Sequence, residues 1–363
     1  MNWSWTLYRY LGRQFLYGVL TVFCAFLVLA FSIDVVDLLN RTAGRSLDSL
    51  TVIGMALLHL PDLGQKLLPF AVLLGGVLSF VMMSRHQELV ASRAAGFSAW
   101  DFLLPPLIVA ILLGVFHVAA VTPVASRMLA HFSALEAKYI KGQDSQLSLG
   151  SNGLWLRQGD ETGQSVIHAL RVSNQGAHLE NVIVFLYGTK DSYLGRVDAR
   201  SADLTEGAWM MRGAFVSGSD GAVARYDRYV LRTTLTKSRI LESFAPPDTL
   251  SFWALPAFIA SAQNAGFTTV RYRLYLYNLL TLPLMFAAMV FMAASFSLNV
   301  SRSGGLGRVV LLGALSGFAV YFFGDLTTAL GRSSILPAGL AATAPALAAI
   351  LIGMTLVFHR EDG

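Results

Sequence analysis

Reactive chemistry is scarce in this sequence. One cysteine, Cys24, stands among 363 residues, so no disulfide can close within the chain and no cysteine-based metal site is available; Cys24 itself is expected as a small core residue. There is no His-Glu-x-x-His pattern and no Gly-x-Ser-x-Gly elbow, which leaves no expected metal ligands or catalytic residues. Nor is there a Gly-x-x-x-x-Gly-Lys-Ser/Thr loop to cradle a nucleoside triphosphate. Ser303-Gly304-Gly305-Leu306-Gly307 has the glycines but lacks the lysine and follows an apolar run instead of a strand. It reads as a turn, and the chain is expected to bind no cofactor of its own. Charge is thin as well: 13% of residues are Asp, Glu, Lys or Arg, against about 25% in a soluble domain. The net charge of +5 is not gathered into a basic face with interleaved aromatics, so nucleic acid is not an expected partner.

What the chain has is apolar length. Hydrophobic residues make up 55% of it. Six long runs stand out: Phe15–Ile33, Leu63–Met83 (preceded by Thr51–Leu60), Phe102–Val121, Leu274–Leu298, Val309–Leu326 and Ile335–Phe358. Each is about 18–25 residues, enough for a helix to cross about 30 Å of hydrocarbon. The first run lacks a small-residue cleavage site and is expected to end at Asp34 and Asp37, so it reads as a retained helix. The expected fold is an α-helical polytopic membrane protein of six transmembrane helices, three on each side of an inserted all-β domain. The expected divisions are residues 1–134, 135–265 and 266–363.

Six crossings put both termini on one side. The short segments on that side carry Arg9, Arg13, Arg85, Arg93, Arg302, Arg308 and Arg360; the opposite loops carry Arg41, Arg45 and Arg332. The positive-inside rule then makes the termini cytoplasmic, although Arg271 and Arg273 flank the fourth helix on the outer side. The inserted block falls outside, in the periplasm if the host has two membranes.

Within that block the pattern changes to period two. Gly153–Arg157, Val166–Val172, Leu179–Tyr187, Arg196–Arg200, Ala208–Val216 and Arg225–Leu235 are strand candidates, with turns at Asn152-Gly153, Gly188, Gly195, Gly207 and Gly218-Ser219-Asp220-Gly221. Short strands at this spacing suggest a sandwich or jelly roll. Phe252–Asn264 is expected as a short helix at the membrane surface. Two scattered histidines, His168 and His178, read as ordinary strand residues, which favours docking over catalysis.

Between the second and third runs lies Ser84-Arg85-His86-Gln87-Glu88-Leu89-Val90-Ala91-Ser92-Arg93-Ala94-Ala95-Gly96-Phe97. Ser84 with Gln87 has capping-box spacing, so a short helix is expected over 84–97, with Gly96 ending it. Ser98 and Asp101 suit a second cap that opens the third membrane helix. The plain reading is a solvated connector. The alternative is a helix that docks into a cytoplasmic partner, with Glu88 pairing a partner's Arg or Lys.

Polar residues near the outer ends of the spans are candidates for substrate contact. Asp37, Arg41, Arg45, Lys66 and Arg127 stand there, either as ordinary interfacial groups or as a patch for a phosphorylated head group. Asp325 is expected to pair with one of the cations. Gly75-Gly76, Gly313 and Gly317 allow close helix approach. His117 is the one deep titratable group expected in the spans.

The string Glu88-Leu89-Val90 … Arg93-Ala94-Ala95-Gly96-Phe97-Ser98 resembles the coupling helix of the LptF/LptG permease family. Leu7-Tyr8-Arg9-Tyr10-Leu11, Pro61 and Pro69, Thr122-Pro123 as the close of the third helix, and Gly153-Leu154-Trp155-Leu156-Arg157 match the same family. The Gly-Leu-Trp strand and the Asp37 region favour the LptG branch, with the LptF paralogue as the alternative. The resemblance implies an ABC-transporter permease that extracts lipopolysaccharide from the bacterial inner membrane. It implies an LptB-like ATPase dimer that uses ATP and magnesium, an LptF-like permease, and LptC-like and LptA-like periplasmic proteins. It implies ATPase coupling through Arg85, Glu88, Leu89, Arg93, Ala94, Gly96 and Phe97. The first and fifth helices would line the gate, where Phe26, Phe318 and Phe322 would meet acyl chains. Some family members carry a basic residue where this chain has Asp34. A different class, a secondary transporter driven by an ion gradient, would need buried acidic or histidine relays in the membrane.

Overall fold

The computed structural model describes residues 5–43, 48–88, 98–141, 146–150, 153–160, 163–173, 177–188, 192–218, 221–233, 246–264, 267–297 and 306–361. They form two compact units. A helical unit holds Met1–Ser133, Ser251–Trp253 and Arg273–Gly363, and a β unit holds Ala134–Leu250 and Ala254–Tyr272.

The helical unit contains six helices long and apolar enough to span a membrane. Helix α1 runs Trp5–Thr42 and α2 runs Ser49–Arg85. Helix α3, Ala99–Phe116, passes through a π-helical turn, His117–Val121, into α4, Thr122–Glu136, with a second wide turn at Ala137–Lys141. After the β unit come α6, Val270–Ser297, α7, Leu306–Arg332, and α8, Ala338–Glu361. Three expectations need correction. Asp34 and Asp37 do not end α1, which continues to Thr42. The apolar run Thr51–Leu60 is the first part of α2, which passes unbroken through Pro61 and Pro69. Thr122-Pro123 does not close the third helix.

The wide turn explains that last difference. Pro123 has no N–H, so the Ala119 carbonyl loses its usual α-helical donor. The indole Nε1–H of Trp253 donates to that carbonyl at 3.3 Å. Thr122 returns both its backbone N–H and its hydroxyl to the His117 carbonyl, the hydroxyl at 3.1 Å. The polar backbone is served locally, and the chain continues as helix.

Hydrocarbon gives apolar helices no solvent-driven reason to associate, so close van der Waals contact has to hold them. Two of its tightest points are Gly114 against Pro283 and the crossing of α1 and α2. A Cβ on Gly18 would lie 2.6 Å from the Gly75 carbonyl oxygen, and one on Gly75 would lie 2.5 Å from Val19 Cα. Around this contact Phe15, Val19, Val72, Phe80, Phe286 and Ala293 form the core. Cys24, expected inside, is exposed on α1.

The β unit is one antiparallel sheet in meander order: β1 Gln146–Gly150, β2 Gly153–Asp160, β3 Gly163–Ser173, β4 His178–Tyr187, β5 Tyr193–Thr205, β6 Ala208–Gly218 and β7 Val223–Arg232. The described strands show no crossover between sheets of the kind that defines a jelly roll. They do turn a corner. Leu170, Asn181, Arg200, Gly213 and Asp227 lie on a line across β3 to β7 where cross-strand pairing lapses, with the same register on either side. Asn181 and Gly213 take positive φ of 52° and 63° there, a region open to Asn and Gly. On either side of the line, inward residues stand three apart instead of two: Ala169 and Val172, Leu179 and Val182, Ala199 and Ala202, Met211 and Ala214. Two successive outward residues bend each strand around the core.

That core holds Leu154, Leu156, Ile167, Val184, Val197 and the fully buried Trp209. A short helix α5, Leu255–Asn264, adds Ala262 and Phe258, and Phe267 follows it onto the same cluster. Residues 137–272 expressed alone are expected to give a β-rich circular-dichroism spectrum, and the shorter fragment 137–263 to melt earlier because it lacks Phe267. Trp209→Ala in the longer fragment should cost about 3–5 kcal/mol in chemical denaturation. Gly213→Ala, which forces a Cβ into left-handed backbone, should cost about 1–2 kcal/mol.

Candidate functional site

The end of the helical unit that holds both chain termini is stitched by polar groups. The Tyr10 hydroxyl donates to Glu88 Oε1 at 2.8 Å. Glu88 Oε2 is shielded from solvent and has no hydrogen-bond partner among the described residues. Tyr8 lies within electrostatic reach of Asp101, and Trp100 meets Phe358 of α8 with ring centroids 4.7 Å apart. The expected cap at Ser98 is present: Asp101 N–H donates to the Ser98 hydroxyl at 3.2 Å, and the Ser98 N–H donates to the Asp101 carboxylate at 3.1 Å. The expected cap at Ser84 is not. Ser84 and Arg85 are the last residues of α2, and Gln87 has left the helix with φ 60°. The helical bonds of α2 claim Ser84, so a new helix can start no earlier than Glu88. Arg85 is exposed at the α2 C-terminus, where a cation suits the helix dipole. Leu89, Arg93, Ala94, Gly96 and Phe97 lie outside the described residues, as do Arg45 and 301–305.

At the opposite end, charges are matched inside the chain. Asp37 and Arg41 of α1 pair at 2.8 Å, both about half exposed. Lys66 pairs with Asp62 at 2.7 Å; the Asp62 side chain is 6% exposed and that of Lys66 63%. Asp34 is 9% exposed and meets His59 Nδ1 at 2.9 Å, while His59 Nε2 stands 3.8 Å from Asp62. The imidazole stacks on Phe132 of α4, 4.5 Å between centroids and 6° from parallel. Thr122 reaches Gln65 at 3.5 Å. His59 thus joins α1, α2 and α4. Arg41 and Lys66, expected as part of a positive patch, are each held by a carboxylate of their own helix. Arg127 is exposed, with no ion pair among the described residues. Nor does Asp325 pair with any of these cations.

Asp325 instead rims a cleft of about 310 Å³ between α2, α6, α7 and α8. Its polar residues are Asn278, Thr281, Asp325 and Thr328, and Met285, Met289 and Phe70 line its apolar part. Of the aromatic residues expected to meet acyl chains, Phe318 and Phe322 are open, 63% and 62% exposed on α7. Phe26 is partly buried and packs against the helical core.

Residues 9–359 match the family described as lipopolysaccharide export system permease LptF/LptG. The chain belongs to the LptF/LptG family. The LptG permease protein of Escherichia coli K12 is 27% identical over 97% of this chain and 98% of its own length. The LptG protein of Haemophilus influenzae Rd is 22% identical over 98% and 99%. The LptF/LptG match takes in both units, so the β block belongs to the family's plan.

Sequence reasoning missed His59, Asp62 and Tyr10. A signal for the first two was present: His59, Asp62 and Lys66 recur at helical spacing on one face of an otherwise apolar helix. His59→Ala should strand Asp34 and lower the stability of the detergent-solubilised chain by roughly 1–3 kcal/mol. In a thermal-melt double-mutant cycle, Asp34→Asn on top of it should add little, because the pair is already broken.

Proposed function

We propose that this chain is one half of the membrane part of an ABC transporter that lifts lipopolysaccharide out of the bacterial inner membrane, and that it is the LptG-like half. The name LptG borne by its relatives supports that branch over LptF. One structural observation carries the half-transporter reading. In the apolar windows of α1 and α7, 6% and 17% of residues are buried, against 28–61% in the other four spans. Those are the first and fifth membrane helices, the two expected to line the gate with a second permease. A helix hydrophobic all round and covered by so little of its own chain suits a neighbour of its own kind.

In this reading the termini are cytoplasmic. An LptB-like ATPase dimer, with its own ATP and magnesium, engages the stretch from Arg85 through Glu88 to Phe97. The cornered sheet is a periplasmic domain with a jelly-roll-like curl, and it hands lipid to LptC-like and LptA-like proteins. Asp37, Arg41, Lys66, Arg127, Phe26, Phe318 and Phe322 lie along the path proposed for the lipid, with Phe318 and Phe322 best placed for acyl chains. The chain's own task is mechanical: it converts displacement near Glu88 into rearrangement of its membrane helices.

A second reading, a carrier driven by an ion gradient, draws on the buried Asp34–His59–Asp62 cluster, a kind of group that such carriers use. Transport that needs ATP and survives collapse of the proton gradient would reject it. For the leading reading, Glu88→Lys is expected to abolish co-purification of the ATPase while membrane insertion stays intact. Undiminished pull-down by the variant would contradict the proposed contact.

A further inference from the structure

We infer that a groove between the first turns of α1 and the first half of α3 is a seat for one anionic phospholipid, held by its phosphate on Arg9 and Arg13. The groove has a volume of about 370 Å³ and an apolar lining of Gly12 and Leu16 from α1 and Pro105, Ile108 and Val109 from α3. Gly12 lets the two helices approach there: a Cβ on it would lie 3.2 Å from Val109 Cγ2. Arg9 and Arg13 line the same groove, with Trp5 and Tyr8 beside them. Their depth fits a lipid head. The long apolar run of α1 begins at Phe15, and Arg13 and Arg9 precede it by roughly 3 Å and 9 Å at about 1.5 Å per residue. A head-group layer of about 5–8 Å covers the hydrocarbon on each side. The guanidinium groups therefore reach phosphate level, while Leu16 and Ile108 lie in hydrocarbon. Trp5, 78% exposed, suits the same layer.

Charge selects the occupant. Arg9 and Arg13 stand four residues apart on one helix face, where like charges repel, and neither forms an ion pair among the described residues. Arg13 gives its Nε–H to the Tyr17 hydroxyl at 3.0 Å and lies over that ring, 5.2 Å from the centroid. This orients the guanidinium and leaves its terminal nitrogens to donate. Glu88 and Asp101, carboxylates of the same end, are engaged by Tyr10 and by the Ser98 cap. A phosphodiester answers both guanidinium groups through charge-assisted hydrogen bonds. A zwitterionic head brings its own ammonium to the phosphate and gains less. Two arginines that only reached for the interface would need no groove beside them; here the groove takes an acyl chain of the same molecule. In the orientation proposed above, this is the cytoplasmic leaflet. The inference needs the membrane spans but neither the ATPase nor the exported lipid.

The test titrates the purified full chain with phosphatidylglycerol or phosphatidylcholine of equal acyl length and counts bound lipid by native mass spectrometry. The parent should retain phosphatidylglycerol over phosphatidylcholine, and the preference should fall roughly fivefold for each of Arg9→Gln and Arg13→Gln. Ile108→Trp, at a position 45% exposed, fills the groove and keeps both arginines; it should lose the bound lipid at an unchanged melting temperature. Arg332→Gln, which removes an exposed cation at the other end of the helical unit, should change nothing. Equal preference in the parent and the arginine variants overturns the seat. So does an Ile108→Trp chain that retains lipid like the parent, since charge alone would then hold it at the surface. Loss of the preference when the chain is purified within its complex also overturns it, because a partner's helix would then occupy the groove. Should Ile108→Trp melt early, the arginine variants decide alone.

Discussion

Hydrocarbon offers no hydrogen bonds, and the helical unit is shaped by that denial. Every span must satisfy its own backbone, which is why α2 carries two prolines without breaking and why the proline after α3 comes with a wide turn and an indole donor. The same medium removes the hydrophobic drive that would sort helices in water, and contact at close range takes its place. The Gly18–Gly75 approach is that contact for the α1–α2 hairpin. With α1 seated there, Tyr10 meets Glu88 at one end and Asp34 meets His59 at the other. Both polar contacts depend on one backbone register, and a single added methyl group at the crossing would disturb them together.

The β unit is built on a different rule. Its strands alternate apolar and polar residues, so burial of Trp209, Leu154, Ile167 and Val184 supplies the drive, and alternation decides which face is buried. A flat sheet of seven strands would leave much of that face open. The line through Leu170, Asn181, Arg200, Gly213 and Asp227 bends it, at the cost of one lapsed pair at each of these strand junctions and two between β5 and β6. Gly213 and Asn181 lower the backbone cost of the bend. The corner lets one meander fold over its own apolar face, where α5 and Phe267 add to the cluster.

The layout was legible because its signals are long and repeated. Six apolar runs with a period-two block between them are hard to mistake, and the six strand candidates lie within or close to β2–β7. β1, five residues long, was missed, since so short a segment shows little periodicity. Local signals failed where a distant partner decided the outcome. Asp34 looked like a helix end because a carboxylate in hydrocarbon is costly, but His59 accepts that burden from the next helix. Ser84 and Gln87 have the spacing of a cap, yet the bonds of α2 had already claimed Ser84. Ser98 and Asp101 have equal spacing and do cap. Tyr10 could not be singled out from sequence, since its role exists only where α1 passes Glu88.

Charge pairing within the chain also limits how a phosphorylated head group can be held. A phosphate that drew Lys66 away would leave Asp62, 6% exposed, without its closest cation, and an unpaired buried carboxylate is expensive. Taking Arg41 from Asp37 costs less, because both are half in water and an exposed pair is worth about 0–1 kcal/mol. Arg127 is exposed and has no ion pair among the described residues to give up. Among the described cations proposed to meet the head group, the ease of engagement would therefore run from Arg127 through Arg41 to Lys66. For the function proposed above, recognition by fixed positive charge would be weaker than a count of Lys and Arg suggests. In that function, more of the binding would then fall to the open apolar faces of α1 and α7, where Phe318 and Phe322 are exposed.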